Sequence, residues 1–168
     1  MNVIANTTVL SNFASAGRLE VLHQLLTEVF ISTDVYGELQ DGLAAGIDYY
    51  TGIEDHMTPF SPEGWLHLTS LQSDDELRLF NRLPSGLHRG EASCLAIAAS
   101  RGWVFVTDDF QARKAAHTLG VPISGTIGLL IQAVKQRLIS TIDADSLLLQ
   151  MIANGYRSPH VTISELLP

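Results

Sequence analysis

Cysteine is nearly absent: Cys94 is the only one in 168 residues. An intrachain disulfide is therefore impossible and a cysteine-based metal site has no ligand set, which points to a reducing, intracellular compartment. Positive charge is also scarce, with 10 Lys and Arg against 18 Asp and Glu and a net charge of −8. That balance argues against a broad basic nucleic-acid-binding face. It leaves room for a small basic patch beside an acidic site whose bound ions offset part of the charge. No apolar stretch reaches the length of a membrane span, so no membrane partner is expected. Residues Met1 to Asn6 lack a basic segment ahead of a long apolar run, so they do not read as a secretory leader, and a cytoplasmic protein is expected.

Several chemistries lack their motif. Gly-x-Gly-x-x-Gly does not follow the first apolar segment, which argues against a dinucleotide-binding domain. An aspartyl-phosphate enzyme needs a nucleophilic aspartate just after its first strand, where this chain has Asn6-Thr7-Thr8. The histidines His23, His56, His67, His88, His117 and His160 show no i, i+4 ligand pairing. There are no internal repeats and no low-complexity tracts.

What is present is a globular composition, 46% hydrophobic and 17% charged, at a length that suits one domain over residues 1–168. Apolar runs alternate with helical patterns. Asn2 to Ala5, Val29 to Ser32, Trp65 to Leu71 (an edge strand), Trp103 to Val106 and Val121 to Ser124 read as strands. Helices are predicted over Val9 to Ala16 with Thr7 or Thr8 as cap, Arg18 to Thr27, Thr33 to about Ala45, Ser73 to about Leu83, Gly90 to Arg101, Asp109 to Leu119, Thr126 to Leu138, and around Ser146 to Ala153. Residues 46–64, with Tyr49, Tyr50 and Phe60, read as an irregular helix or loop over the sheet. The alternation implies an α/β fold in three layers, helices on both faces of a central, mostly parallel sheet of about five strands.

Placed on that outline, acidic and amide residues gather at strand ends and helix starts. Asn6 follows the first strand, Glu38 lies in the helix after the second, Glu91 opens the alanine-rich helix, and Asp108 with Asp109 ends the strand from Trp103. In open α/β sheets ligands bind beyond the carboxyl ends of the strands, and carboxylates there can hold metal ions for phosphate chemistry. Each has a structural alternative: a first-turn acid for Glu91, a solvated face for Glu38, a helix cap for one of Asp108 and Asp109. On the following helix Phe110, Arg113, Lys114 and His117 share a stripe at i, i+3, i+4 and i+7. A small basic face with one aromatic suits a backbone phosphate and a stacked base, and equally a plain solvated face.

Together these segments resemble the PIN-domain family of metal-dependent ribonucleases, closest in pattern to VapC-type toxins of prokaryotic toxin–antitoxin systems. The resemblance rests on NTTVLSNFASAGRLEVL from Asn6, VYGEL from Val35, GEASCLAIA from Gly90, TDDFQARKAA from Thr107, GTIGLLIQAVKQRLI from Gly125 and GYRSPHVTISELL from Gly155, in that order across nearly the whole chain. It implies RNA hydrolysis with Mg²⁺ or Mn²⁺. Carried over position by position, the metal ligands fall on Asn6, Glu38, Glu91 and Asp108. Catalytic carboxylates fall on Glu38, Glu91, Asp108 and Asp109. Thr8 and Thr107 would orient the ligands, while Arg113, Lys114 and His117 would contact RNA. A small antitoxin protein and a homodimer are the partners the resemblance implies. The chain departs from the family at Asn6, where many PIN nucleases carry aspartate. An amide oxygen can coordinate Mg²⁺ but brings no charge, and a unit charge pair at about 4 Å and an effective dielectric of about 20 is worth roughly 4 kcal/mol. A catalytically attenuated relative that acts by binding RNA or its antitoxin is therefore the alternative reading.

Overall fold

The computed structural model describes residues 1–168. Six strands form one sheet: β1 Val3–Ala5, β2 Val29–Ser32, β3 Met57–Thr58, β4 Leu66–Thr69, β5 Val104–Val106 and β6 Ile123–Ser124. Their order is β3-β4-β2-β1-β5-β6, and every neighbouring pair is parallel. The sheet is thus larger and more uniform than the mostly parallel five strands expected. The extra strand, β3, lies within residues 46–64, after two 3-10 turns at Asp48–Tyr50 and Ile53–His56. Because β3 pairs with β4, β4 is internal and not the edge its alternating pattern suggested.

Eight helices cover the sheet: α1 Thr7–Ser15, α2 Leu19–Leu26, α3 Thr33–Ala44, α4 Asp74–Arg82, α5 Arg89–Arg101, α6 Phe110–Thr118, α7 Thr126–Lys135 and α8 Thr141–Ala153. Hydrophobic residues of β1 to β5 and of every helix but α4 contribute to one core of 35 buried residues. Helix α5 goes deepest: Gly90 to Ala98 are all buried. Small residues on every side let it pack closely against both strands and neighbouring helices. At its far end Arg101 donates from Nε to the buried carboxylate of Glu76 at 2.6 Å, and from Nη1 and Nη2 to Thr69 and Ser70 at 2.9 and 2.8 Å. Glu76 also completes the Ser73 capping box of α4, and the adjacent guanidinium holds its carboxyl below the usual range.

Several helix starts sit one residue earlier than their expected caps. Asn6, not Thr7 or Thr8, caps α1 through Oδ1 to Val9 N, and Ser32, not Thr33, caps α3. In both, the last strand residue or its neighbour supplies the capping oxygen, so strand and helix abut without a loop. Gly125 takes the cap position of α7 while Thr126 is its first helical residue. The aromatic residues of the irregular segment divide: Tyr50 is buried beneath α1, where its hydroxyl meets Ser11 Oγ, whereas Tyr49 and Phe60 are exposed.

Strand order reverses about β1. The chain passes from β1 to β2 on one side and later returns to β5 on the other. All strands being parallel, the carboxyl ends of β1, β2, β5 and β6 lie along one edge, where the crevice of an open α/β sheet forms.

Candidate active site

The residues after β1 and β5 are tied directly to each other. Asn6 is 2% exposed; its Nδ2 donates to Thr107 Oγ1 at 2.9 Å and its Oδ1 accepts from Val9 N at 3.4 Å. Thr107 Oγ1 also accepts from Asp109 N at 3.2 Å. Thr107 thereby fixes both the amide of Asn6 and the backbone that presents Asp109. The amide at position 6 has a structural use: its NH₂ supplies a buried hydrogen bond that a carboxylate cannot donate.

Glu38 and Glu91 meet across α3 and α5. Glu38 Oε1 accepts from Gly90 N at 3.1 Å, and Oε2 accepts from the Thr7 hydroxyl. The neighbour that orients Glu38 is thus Thr7, whereas Thr8 is exposed on the wall of a cleft. Gly90 lets the Glu38 carboxylate approach the backbone closely. A Cβ there would lie 2.7 to 2.9 Å from the Glu38 carboxylate. Glu91, 7% exposed, accepts from His88 N through Oε2 at 3.0 Å.

Burial pushes the Glu91 carboxyl above the ordinary glutamate range; the bond from His88 opposes this, and the negative charges of Asp109 and then Glu38 add to it. Glu91 thus lies within electrostatic reach of Asp109 and of Glu38. Asp109 caps α6, its Oδ1 accepting from Ala112 N at 2.7 Å. Oε1 of Glu91 and Oδ2 of Asp109 accept no hydrogen bond from the chain.

Asp108 has different surroundings. Its Oδ1 accepts from Thr126 N at 2.8 Å and from Tyr156 OH at 3.3 Å. Its Oδ2 accepts from Thr126 Oγ1 at 2.5 Å and from Asn12 Nδ2 at 3.1 Å. A Cβ at Gly125 would fall 2.6 Å from Asp108 Oδ1, so glycine lets the start of α7 reach this carboxylate. Both oxygens are occupied by donors from α1, α7 and the segment after α8. Asn12 and Tyr156 carry no expectation from the sequence, and Thr126 only that of a helix cap. The available signal was Asn12 itself, a buried amide on a helix face shared with Val9 and Phe13.

The structure thus brings Asn6, Thr107 and Asp109 together, and Glu38 beside Glu91, while Asp108, on the same cleft as Asp109, is bonded to Asn12, Thr126 and Tyr156. No three His, Cys, Asp or Glu side chains converge on one point in a geometry that could hold a metal ion. The donor chemistry nonetheless suits a hard divalent cation: the grouped side chains offer oxygen only, and two carboxylates keep a free oxygen. A cation there would offset the mutual repulsion felt by Glu91. Arg113 is half-buried and its Nη1 donates to Thr107 O and Ser124 O at 2.9 and 3.1 Å, so one arm of the guanidinium braces the β5 and β6 ends. Lys114 and His117 are exposed. Cys94 is fully buried, with its thiol pushed up to about 12 by burial, and takes no part.

The raised Glu91 value has a measurable consequence. A carboxyl with a higher pKa folded than unfolded binds more protons in the folded chain. Stability then falls as pH rises from the ordinary glutamate range through the raised value, and is level above it. Glu91→Gln removes that loss. In EDTA the variant is expected to melt above the parent at about pH 8, with the difference shrinking toward about pH 4, where both carry a neutral side chain. Thermal denaturation across that range checks it; a variant that melts lower at about pH 8 refutes the assigned strain.

A parallel α/β sheet with acidic side chains at its carboxyl edge defines a class of domain suited to phosphate chemistry. A family model described as a PIN domain matches residues 2–168, and the chain belongs to that family. PIN domains are generally nucleases, and they typically use divalent metal ions. No curated protein matches the chain. No helix is long and apolar enough to cross a membrane.

Proposed function

We propose that this chain is an endoribonuclease of the VapC toxin type that hydrolyses RNA phosphodiester bonds with Mg²⁺ or Mn²⁺ held by Glu38 and Glu91, with Asp109 beside them as the proton acceptor. The observation that carries the reading is the PIN-domain match over residues 2–168, with Glu38 bonded to the backbone next to Glu91 and Asp109 on the cleft at the edge where the strand order reverses. Asn6, linked through Thr107 to the backbone of Asp109, would bring a neutral oxygen. When bound, the ion would lower the pKa of a water and polarise the scissile phosphate.

The chain's own residues do the rest. Thr7 and Gly90 N hold Glu38, His88 N holds Glu91, and Thr107 with Ala112 N holds Asp109, so each carboxylate is fixed before substrate arrives. Asp109 is the proton acceptor: it borders the cleft of about 580 Å³ at this edge and its Oδ2 is free. As the water oxygen bonds to phosphorus and the P–O ester bond breaks, the proton passes to that carboxylate and the leaving oxygen is protonated in turn. The unbound donors of Arg113, with Lys114 and His117, would receive flanking phosphates. On this reading a small antitoxin protein and a second copy of the chain are partners of a cytoplasmic protein, testable by co-purification and by mass in solution.

Cleavage of RNA is expected with Mn²⁺ or Mg²⁺ and not in EDTA; cleavage that persists in EDTA sinks the proposal. The second reading, an attenuated PIN domain that binds without cutting, is favoured by the buried amide of Asn6. Asn6→Asp separates the two. A gain in cleavage of about tenfold or more, set against the several kcal/mol a nearby charge is worth, supports attenuation. An unchanged rate removes Asn6 as its cause.

A further inference from the structure

Two clefts open at the carboxyl edge of the sheet, one of about 580 Å³ and one of about 690 Å³. Asp108, Phe110, Tyr156 and Arg157 line both, so the clefts meet at these four residues. The Tyr156 ring is held there by the bond from its hydroxyl to Asp108. Phe110 is 74% exposed, at the first position of a helix that buries only Ala112 and Ala116. Arg157 is exposed and takes part in none of the chain's ion pairs, which use Arg18, His67, Arg78, Arg89 and Arg101. In a molecule of net charge −8, a free guanidinium beside a bare aromatic ring complements a ligand with an anionic group next to a flat one.

A nucleic-acid strand has that chemistry, and the exposed ring selects its form. A base inside a duplex has both faces covered by its neighbours, whereas an unpaired base can lay one face on an aromatic side chain. We propose that single-stranded RNA lies along the joined clefts, with one base stacked on Phe110 and an adjacent phosphate on Arg157. The identity of the ligand rests on the ribonuclease reading above. Asp109 borders the first cleft next to Phe110, so a strand seated on Phe110 passes the free carboxylate oxygen. Arg157 follows from the fold alone, since 43 residues of chain lie between it and Arg113.

The test is binding of a short single-stranded RNA carrying one 2-aminopurine, in EDTA, followed by anisotropy and by the quenching that stacking causes. The wild-type chain is expected to bind and to quench. Phe110→Ala should weaken binding roughly 5- to 100-fold and abolish quenching, and Phe110→Tyr should restore both. Arg157→Gln should weaken binding and lower the salt dependence by about one phosphate contact. The same RNA annealed to its complement should bind at least about tenfold more weakly, without quenching. No binding, equal affinity for duplex and single strand, or Phe110→Ala affinity equal to wild type overturns the proposal. Mn²⁺-dependent cleavage of the same RNA is scored separately. Cleavage with Phe110-independent binding removes the strand path and keeps the nuclease; Phe110-dependent binding without cleavage does the reverse.

Discussion

Asp109→Ser is expected to abolish RNA cleavage and leave the fold intact. Asp109 carries two loads that a serine divides. As the cap of α6 it accepts from Ala112 N at 2.7 Å, and a serine hydroxyl at this position is about as good a cap as a carboxylate. As the free carboxylate beside Glu91 it has no such substitute. The loss of a charge at the start of α6 costs about 0.3 to 1 kcal/mol, while relief of the repulsion on Glu91 acts in the opposite direction. Net stability should therefore stay within about 1 kcal/mol of the parent, with cleavage down by about 100-fold or more, the scale of a lost acid–base group. Asp109→Ala makes the control: the same loss of cleavage plus about 1 kcal/mol for the missing cap. Single-turnover cleavage and urea denaturation measure the two quantities independently. Near-normal cleavage by Asp109→Ser would reduce Asp109 to a helix cap.

This separation of roles could not be read from the sequence, and the reason is geometric. Adjacent residues after a strand project differently, so from Thr107-Asp108-Asp109 alone Asp108 is the expected metal ligand, Asp109 an expected catalytic carboxylate, and either one the helix cap. The elements themselves were legible where pattern carried them. β1, β2 and β5 are apolar runs, the capping box of α4 is spelled out at Ser73 and Glu76, and Gly102 ends α5 with positive φ. β3 was not legible because two residues, Met57 and Thr58, are too few to show a period, and missing it made β4 an edge. The caps at Asn6 and Ser32 were displaced by one residue because strand and helix share a junction where threonines offer equally good capping chemistry. Glu38, Glu91 and Asp109 were visible as acids near the expected edge. The contacts of Asp108 join positions 96, 18 and 48 residues apart, and no local pattern encodes such pairs. Thr7 in place of Thr8 beside Glu38 is the same problem on a smaller scale: in α1 the two differ by about 100° of helix rotation, which decides which one faces α3.

Asp108→Ala is expected to unfold the chain more easily, not merely to inactivate it. The carboxylate accepts four hydrogen bonds, two of them from Thr126, which is fully buried, and one from Asn12, which is 7% exposed. Hydrogen bonds to a charged group contribute about 1.5 to 3 kcal/mol each, and a buried donor left without a partner costs about 1 to 3 kcal/mol. Part is recovered, because Asn12 Nδ2 also donates to Thr126 Oγ1 at 3.0 Å and keeps that partner. Thr126 N, at the start of α7, has no replacement acceptor. A net loss of about 3 kcal/mol follows, or a Tm lower by roughly 6 to 12 °C for a domain of this size. Asp108→Asn keeps the shape but turns an NH₂ toward one set of donors, so it should fall between the alanine variant and the parent. The Tyr156 hydroxyl loses its tie in the alanine variant, so the segment after α8 should become more open to protease, a readout that simple loss of a reacting carboxylate would not move. An Asp108→Ala chain that melts like the parent, resists protease like the parent and still fails to cleave RNA would exchange the roles given to the two aspartates. The reacting carboxylate would then be Asp108, and the Asn12–Thr126–Tyr156 cluster would be the cradle that aims it.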